Sequence, residues 1–545
     1  MPLVLDARGL GDVGPGDLAV VRTGRGRAKV ERGLGSASRI ENVLEALLVE
    51  QGARVEFEPH ALPAPGLEGR VDLRELPTYT VDPETAKDFD DALSFRRERD
   101  GIRAWVHVAD VSSFVPAGSP LDCGAAERGC STYVPGLVAP MLPPELADDA
   151  CSLVPHRDRL CVTVEMPPAG EPLFYRSVVR SDARLTYGQA ERREAPPAIL
   201  DQLDLNGELA TRLRAERLAR GALAVTTPEL AFRFEDGRVA AAWLEGEPYA
   251  HMLVEELMIR ANEHVAALLA SRNREALYRV HEQPDPRSIE LLLAKLEALG
   301  VPTPPAPEVL TPQSAAELAA AISVRVSEYT AGSGRGREAF PALVLRALKQ
   351  ARYDPRNLGH SGLASRAYCH FTSPIRRYPD LVVHRALLRE LGQGDDPPPA
   401  GLEELAEHVS ARERAAAEVE YLADALCLAW LLDDTLAVRG WDEPWEGEVV
   451  GLIGSGLFVR FGEVFEGFLP ARRLGGERFE LDETGTALAG RRSGRAYRLG
   501  DAIAVRVERV ARHDGRVELA PAAAAGDGGA GRPGRTGTIG QWPRS

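Results

Sequence analysis

A chain of 545 residues is too long for one compact core, so two or more domains are expected. With 44% hydrophobic and 27% charged residues the composition is that of a globular protein, which sets aside fibrous and disordered classes. A net charge of −16 excludes a protein that coats nucleic acid over its whole surface, but it permits a basic channel inside an acidic shell.

The N-terminus places Asp6 and Arg8 soon after a very short apolar run, unlike the basic start and apolar core of a signal peptide. Apolar and polar residues alternate between Gly16 and the helical pattern SRIENVLEALLVEQG, so two short strands and a helix are expected there. A proline-bearing linker from Pro59 to Pro65 marks a boundary. From about Val71 to Leu391 strand-like TYTV, ALSF and AWVHVADV give way to long helical stretches, which predicts an α+β domain rather than regular βαβ repetition. One predicted helix, from about His251 to Ala270, sets Leu253, Leu257, Ala261, Val265 and Leu268 on one stripe, as a core-packing helix does.

DDPPPAG near Asp395 reads as a turn and Leu402 to Leu432 as a long helix. After Trp445 the short segments GEVVGLI, GLFVRF, EGFLP and AIAVRVERV predict a small barrel. The glycine- and alanine-rich residues from about Pro521 are expected to be disordered. The most apolar stretch, Ala425 to Leu432, is far too short to span a bilayer. Cys123, Cys130, Cys151, Cys161, Cys369 and Cys427 form no CxxC pair and read as buried thiols of a reducing compartment. A cytoplasmic protein with no membrane contact and no obligate protein partner is expected.

Two segments carry chemistry. TVDPETAKDFDDA gathers Asp82, Asp88, Asp90 and Asp91, four carboxylates that repel one another unless cations neutralise them. Hard oxygen donors suit magnesium or manganese. Taken alone, the loop reads equally well as a solvated acidic turn. HFTSPIRRYPDLVVHR, from His370 to Arg385, sets Arg376 and Arg377 beside a chain turn, where paired cations could meet a phosphate. Taken alone, adjacent arginines are more often surface residues.

These two segments, together with STYVPGLVAPMLPPEL at Ser131–Leu146 and LYRVHEQP at Leu277–Pro284, closely resemble the RNB catalytic domain of the RNase II and RNase R family. The resemblance covers about Val71 to Leu432. It implies a magnesium-dependent exoribonuclease, with manganese as the alternative ion, that degrades single-stranded RNA from its 3′ end to nucleoside 5′-monophosphates. It also implies metal ligation by Asp82, Asp88, Asp90 and Asp91, with Asp90 as the indispensable catalytic carboxylate and Arg376 as the group that stabilises charge on the scissile phosphate. Tyr133 and Tyr187 match base-packing tyrosines, for which stacking is the physical reason; Phe232 and Phe234 both remain candidates for an opposing aromatic.

Arg377 and His370 are further RNA-binding candidates, although a lone histidine is more often a structural hydrogen-bond partner, as His281 and His384 are also expected to be. An acidic residue of the RNA path falls on Glu418 or Glu420. The segment Trp445 to Leu519 resembles an S-one-type OB barrel, with Phe458, Phe461 and Phe468 as stacking candidates and Arg460 and Arg506 near the RNA backbone. At least one of those phenylalanines is equally well barrel core.

The expected order is a partial cold-shock, OB-like region at 1–68, an α+β RNB domain at 69–440, an OB barrel at 441–520 and a tail at 521–545. In relatives of this family two cold-shock barrels precede the catalytic domain, whereas about seventy residues do so here, enough for one partial barrel. A noncatalytic RNA-binding protein on the same fold is the alternative.

Overall fold

The computed structural model describes residues 4–5, 13–24, 27–53, 57, 60–225, 228–246 and 248–522. At the N-terminal end the alternating residues form β2 (Asp17–Gly24) and β3 (Arg27–Ser36), an antiparallel pair extended in parallel by β1 (Val4–Leu5). Helix α1 (Ile40–Glu50) follows and buries Ile40, Val43, Leu44 and Leu48. Three strands and a helix form there, one strand more than the two expected.

The central domain is built on a seven-stranded mixed sheet. Its strands are β4 (Val71–Asp72), β5 (Tyr79–Asp82), β6 (Asp91–Glu98), β7 (Gly101–Ala109), β10 (Asp158–Met166), β11 (Leu173–Arg180) and β12 (Ala183–Thr186), in the spatial order β12-β5-β6-β7-β10-β11-β4. Between β7 and β10 the chain makes α2 (Pro120–Arg128) and the hairpin β8 (Thr132–Val134) with β9 (Leu137–Ala139).

Because side chains alternate along a strand, the sheet feeds two cores. Leu93, Phe95, Val106 and Val108 join one cluster, to which the long helices contribute, while Ala92 and Ala109 join the other with Met141, Leu142 and Ile375. Buried polar groups in the sheet are satisfied in a chain: Thr78 to Ser94 at 2.8 Å, Ser94 to His107 at 3.1 Å, His107 to Thr163 at 2.9 Å and Thr163 to Ser177 at 2.6 Å.

After β12 come α3 (Tyr187–Glu191), α4 (Pro197–Ala219), the hairpin β13 (Leu230–Glu235) with β14 (Arg238–Leu244), and α5 (Pro248–Ser271). The stripe expected for α5 is buried at Leu253, Leu257, Ala261 and Val265, with Leu269 rather than Leu268 completing it. Glu256, on the same helix, is buried against Arg217 of α4 at 2.6 Å. The chain continues through β15 (Tyr278–Val280), α6 (Pro286–Ala298), α7 (Pro312–Ser333), α8 (Ala339–Arg346), β16 (Arg352–Asp354), α9 (Tyr378–Glu390) and α10 (Leu402–Arg439).

C-terminal to α10, strands β17 (Trp445–Ile453), β18 (Gly456–Phe461), β19 (Phe465–Pro470), β23 (Ala502–Ala511) and β24 (Arg516–Pro521) close a five-stranded barrel in the order β17-β18-β19-β24-β23, the OB-type architecture expected. A separate sheet, β20 (Phe479–Leu481), β21 (Ala487–Gly490) and β22 (Ala496–Arg498), is inserted before β23. The tail expected to be disordered lies, from residue 523, outside the described residues. No helix among the described residues is long and apolar enough to cross a membrane.

Candidate active site

β5 ends at Asp82 and its neighbour β6 begins at Asp91, so the loop joining them brings Asp88 and Asp90 to the same end of the sheet. The loop is fastened by Ser152 and Arg184. Phe89 N–H donates to Ser152 Oγ at 3.0 Å, Ser152 Oγ donates to Lys87 O at 2.6 Å, and Arg184 donates to the carbonyls of Pro83 and Glu84. Asp90 is 4% exposed; its Oδ1 accepts Ile375 N–H at 2.8 Å. Its Oδ2 lies 3.3 Å from Arg376 Nε, an ion pair whose angles fall short of a hydrogen bond. The Arg376 side chain remains 43% exposed, so the guanidinium has a free side.

The arginines owe their positions to a turn before α9, in which Arg376 N–H and Arg377 N–H both donate to Ser373 O, at 3.3 and 3.0 Å. Ser131 N–H donates to Arg376 O at 2.9 Å, which docks β8 on this turn. Tyr133, on β8, donates its hydroxyl to Asp88 Oδ2 at 2.5 Å, and its backbone N–H donates to Glu420 of α10 at 2.9 Å. The structure thus brings Asp82, Asp88, Asp90, Asp91, Arg376 and Tyr133 together. Of the two acidic candidates on α10, Glu420 faces this cluster through Tyr133 and Glu418 is exposed.

Burial pushes Asp82 up to about 6 and Asp91 up to about 7, and lifts Asp90 well above the carboxylate range; neighbouring aspartates add to the effect and Arg376 opposes it. Asp82 Oδ2 and Asp90 Oδ2 are buried without a hydrogen-bond partner. Among the described residues no three His, Cys, Asp or Glu side chains converge as a ready ligand cage. The donor set is nevertheless all hard oxygen with two open acceptors, which fits a small divalent cation that keeps part of its water shell.

Tyr187 starts α3 beside this cluster. Its N-cap Thr186 forms a capping box with Gln189 and pairs in register with Asp82 across the parallel β12–β5 ladder. Burial, then Asp91 and Asp82, raise the phenol pKa. The ring stacked on Tyr187 belongs to His251, with centroids 3.9 Å apart and planes at 10°. Phe232 and Phe234 lie elsewhere, packed on the cluster of α1 and α10 that contains Ile40 and Trp430, with the Phe234 ring against Gly136.

Other candidates are held by protein groups. Arg377 is paired with Asp380 at 2.8 Å. His370 places Nδ1 2.8 Å from the Tyr353 hydroxyl, and burial drives its pKa well below the usual imidazole value. His281 Nδ1 accepts Gly362 N–H at 2.9 Å, and His384 Nε2 donates to Phe371 O at 2.8 Å, the structural roles expected of both.

On the barrel, Phe458 and Phe468 form an outward cross-strand pair with centroids 5.2 Å apart. Phe461 corrects the set of stacking candidates: it is 1% exposed in the barrel core, because alternation along β18 turns Leu457, Val459 and Phe461 inward. Arg460 points outward but is engaged by Glu338 at 3.0 Å, and Arg506 is 42% exposed with Asp442 at 3.9 Å. Sequence reasoning missed His251, whose place in a core-packing helix hid it, and also Glu229 and Asp424, which join Glu420 in an acidic group where burial, then Glu420 and Glu229, push Asp424 up to about 6.

The family described as RNB domain matches residues 70–393, the span that holds the four aspartates, Arg376, Tyr133, Tyr187 and His251. The chain belongs to the RNB domain family. Ribonuclease R of Escherichia coli is 37% identical over 482 residues, which cover 83% of this chain and 57% of that protein, so the chain spans a little over half the length of that RNB relative. Among solved structures, Mycoplasma genitalium RNase R in complex with ribose-methylated single-stranded RNA superposes with a TM-score of 0.85 at 24% identity, covering 96% of this chain and 85% of that one. Yeast Ssd1, a pseudonuclease, superposes with a TM-score of 0.65 at 19% identity, covering 87% and 61%. A shared fold by itself therefore does not decide activity, and the site residues must.

Proposed function

We propose that this chain hydrolyses single-stranded RNA from the 3′ end and releases nucleoside 5′-monophosphates, with magnesium, or manganese in its place, at the Asp82–Asp91 cluster. The observation that carries the reading is Arg376, half-exposed and 3.3 Å from Asp90, facing buried carboxylates with two unsatisfied oxygens. A divalent cation held by these aspartates supplies activation of water and charge neutralisation at a phosphodiester.

The chain's own groups do the rest. Ile375 N–H fixes one oxygen of Asp90 and leaves the other turned toward the site. The free side of the Arg376 guanidinium receives the scissile phosphate and stabilises the charge that develops on it. Tyr133 holds Asp88 through its hydroxyl and borders the RNA path, while Tyr187 packs against a 3′-terminal base. Arg377 and His370, being paired internally, support the wall of the path and bear on RNA less directly. Phe458 and Phe468 stack bases arriving over the barrel.

In this reading 69–440 is the catalytic domain, 441–520 an RNA-binding barrel and 1–68 an OB-like segment beside them. The six unpaired cysteines suit a reducing cytoplasm. The test is a time course of 5′-labelled poly(A), with magnesium or with chelator, beside DNA of equal length. Stepwise shortening and mononucleotide release from RNA alone, and with metal alone, is the expected result. Equal digestion of DNA, or none of either, would overturn the reading and in the second case leave a noncatalytic RNA binder.

A further inference from the structure

Tyr187 is braced on one side by a residue that core packing does not explain. The imidazole of His251 lies parallel to the phenol ring at 3.9 Å and covers one of its faces. His251 sits in the first turn of α5, and the preceding residue, Ala250, donates its N–H to Glu191 of α3 at 2.8 Å, so the helices that carry the two rings are tied together. On its far side His251 Nε2 is 3.5 Å from Glu245, just past β14. The imidazole side chain is 36% exposed, while its neighbours Met252 and Leu253 supply the buried stripe of the helix. With one face of Tyr187 occupied, a base can meet only the opposite face.

We infer that His251 is a positioning residue for the 3′-terminal nucleotides: by backing Tyr187 it offers a single, fixed ring face to the terminal base and so sets the shortest RNA that the channel retains. The inference rests on the base-packing role of Tyr187 proposed above. Without the imidazole, Tyr187 regains rotamer freedom that stacking of the terminal base must then remove, a step that a long strand can forgo and still stay bound. Long strands, held by many other contacts, scarcely register that cost, but short ones depend on it.

The experiment compares His251→Ala, His251→Phe and Tyr187→Ala with the parent. It reads the limit products of a 5′-labelled RNA on a denaturing gel, and the fluorescence of 2-aminopurine at the 3′ end of a short RNA bound in chelator. His251→Ala is expected to lengthen the limit product, to relieve the quenching of 2-aminopurine, and to weaken retention of the short RNA about fivefold, with the affinity for a long strand unchanged. His251→Phe, which keeps a flat ring, is expected to restore all three.

A parental ladder in His251→Ala alongside a lengthened one in Tyr187→Ala overturns the inference alone. Equal loss in His251→Ala and His251→Phe also overturns it, because the ring plane is then not what matters. A parental ladder in Tyr187→Ala removes the base-packing role of Tyr187, and this inference falls with it.

Discussion

Arg376 and Arg377 are neighbours in one turn and have different work. Arg377 is neutralised by Asp380 at 2.8 Å in the first turn of α9, whereas Arg376 faces Asp90 with nearly half its side chain exposed. Arg376→Ala should therefore cost about 10²–10³ in turnover, the range for losing one charge-stabilising donor, with RNA affinity much less affected. A Kd measured in chelator, beside single-turnover rates in magnesium, checks this; an affinity loss as large as the rate loss would make Arg376 a strand-positioning group instead. The sequence showed both arginines but not this division, since a doublet carries no sign of which member its own helix will claim. Phe461 was separable in principle, because strict alternation in GLFVRF puts it on the inward side with Leu457 and Val459. Nothing local marked His251, whose partner is 64 positions away across α4, β13 and β14.

Among the elements, the barrel is fastened to the helices that precede it. Glu448 of β17 accepts Gly336 N–H at 3.0 Å at the start of α8, so a barrel carboxylate caps a helix of the catalytic domain. Arg335 meets Asp501 at 3.1 Å, and Gly500, at φ +79°, lies so close to the Phe340 ring that a Cβ would stand 2.7 Å from it. Leu499 joins the core of α6, α7 and α8. Glu448→Ala is expected to cost about 1 kcal/mol, as loss of a helix cap does. Gly500→Ala should cost about 1–3 kcal/mol through overpacking and an unfavourable φ. Both are measured by denaturant unfolding of the full chain; unchanged midpoints would show that the barrel is not held through this contact. Strand alternation and helical stripes made most elements legible beforehand. The inserted sheet β20–β22 was not, because its strands are only three or four residues long, too short for a period to register.

In the proposed reading the strand crosses the outward pair Phe458 and Phe468 of the barrel before it reaches Tyr133, which touches both Glu420 and Asp88. Stacking should give the barrel's part of this path affinity without ionic character. Phe458→Ala with Phe468→Ala is expected to weaken binding of a long strand by about tenfold or more while the slope of log Kd against log salt stays parental, because no phosphate contact is lost. A flattened slope would assign the two rings to holding charged groups in place. In the proposed reading hydrolysis depends most directly on Asp90. Asp90→Asn keeps an oxygen for Ile375 N–H but removes the charge facing Arg376, so RNA bound in chelator should show a parental Kd while hydrolysis in magnesium falls below about one thousandth of the parent. Turnover near the parental rate in that variant would contradict the assignment of the carboxylate cluster as the hydrolytic centre.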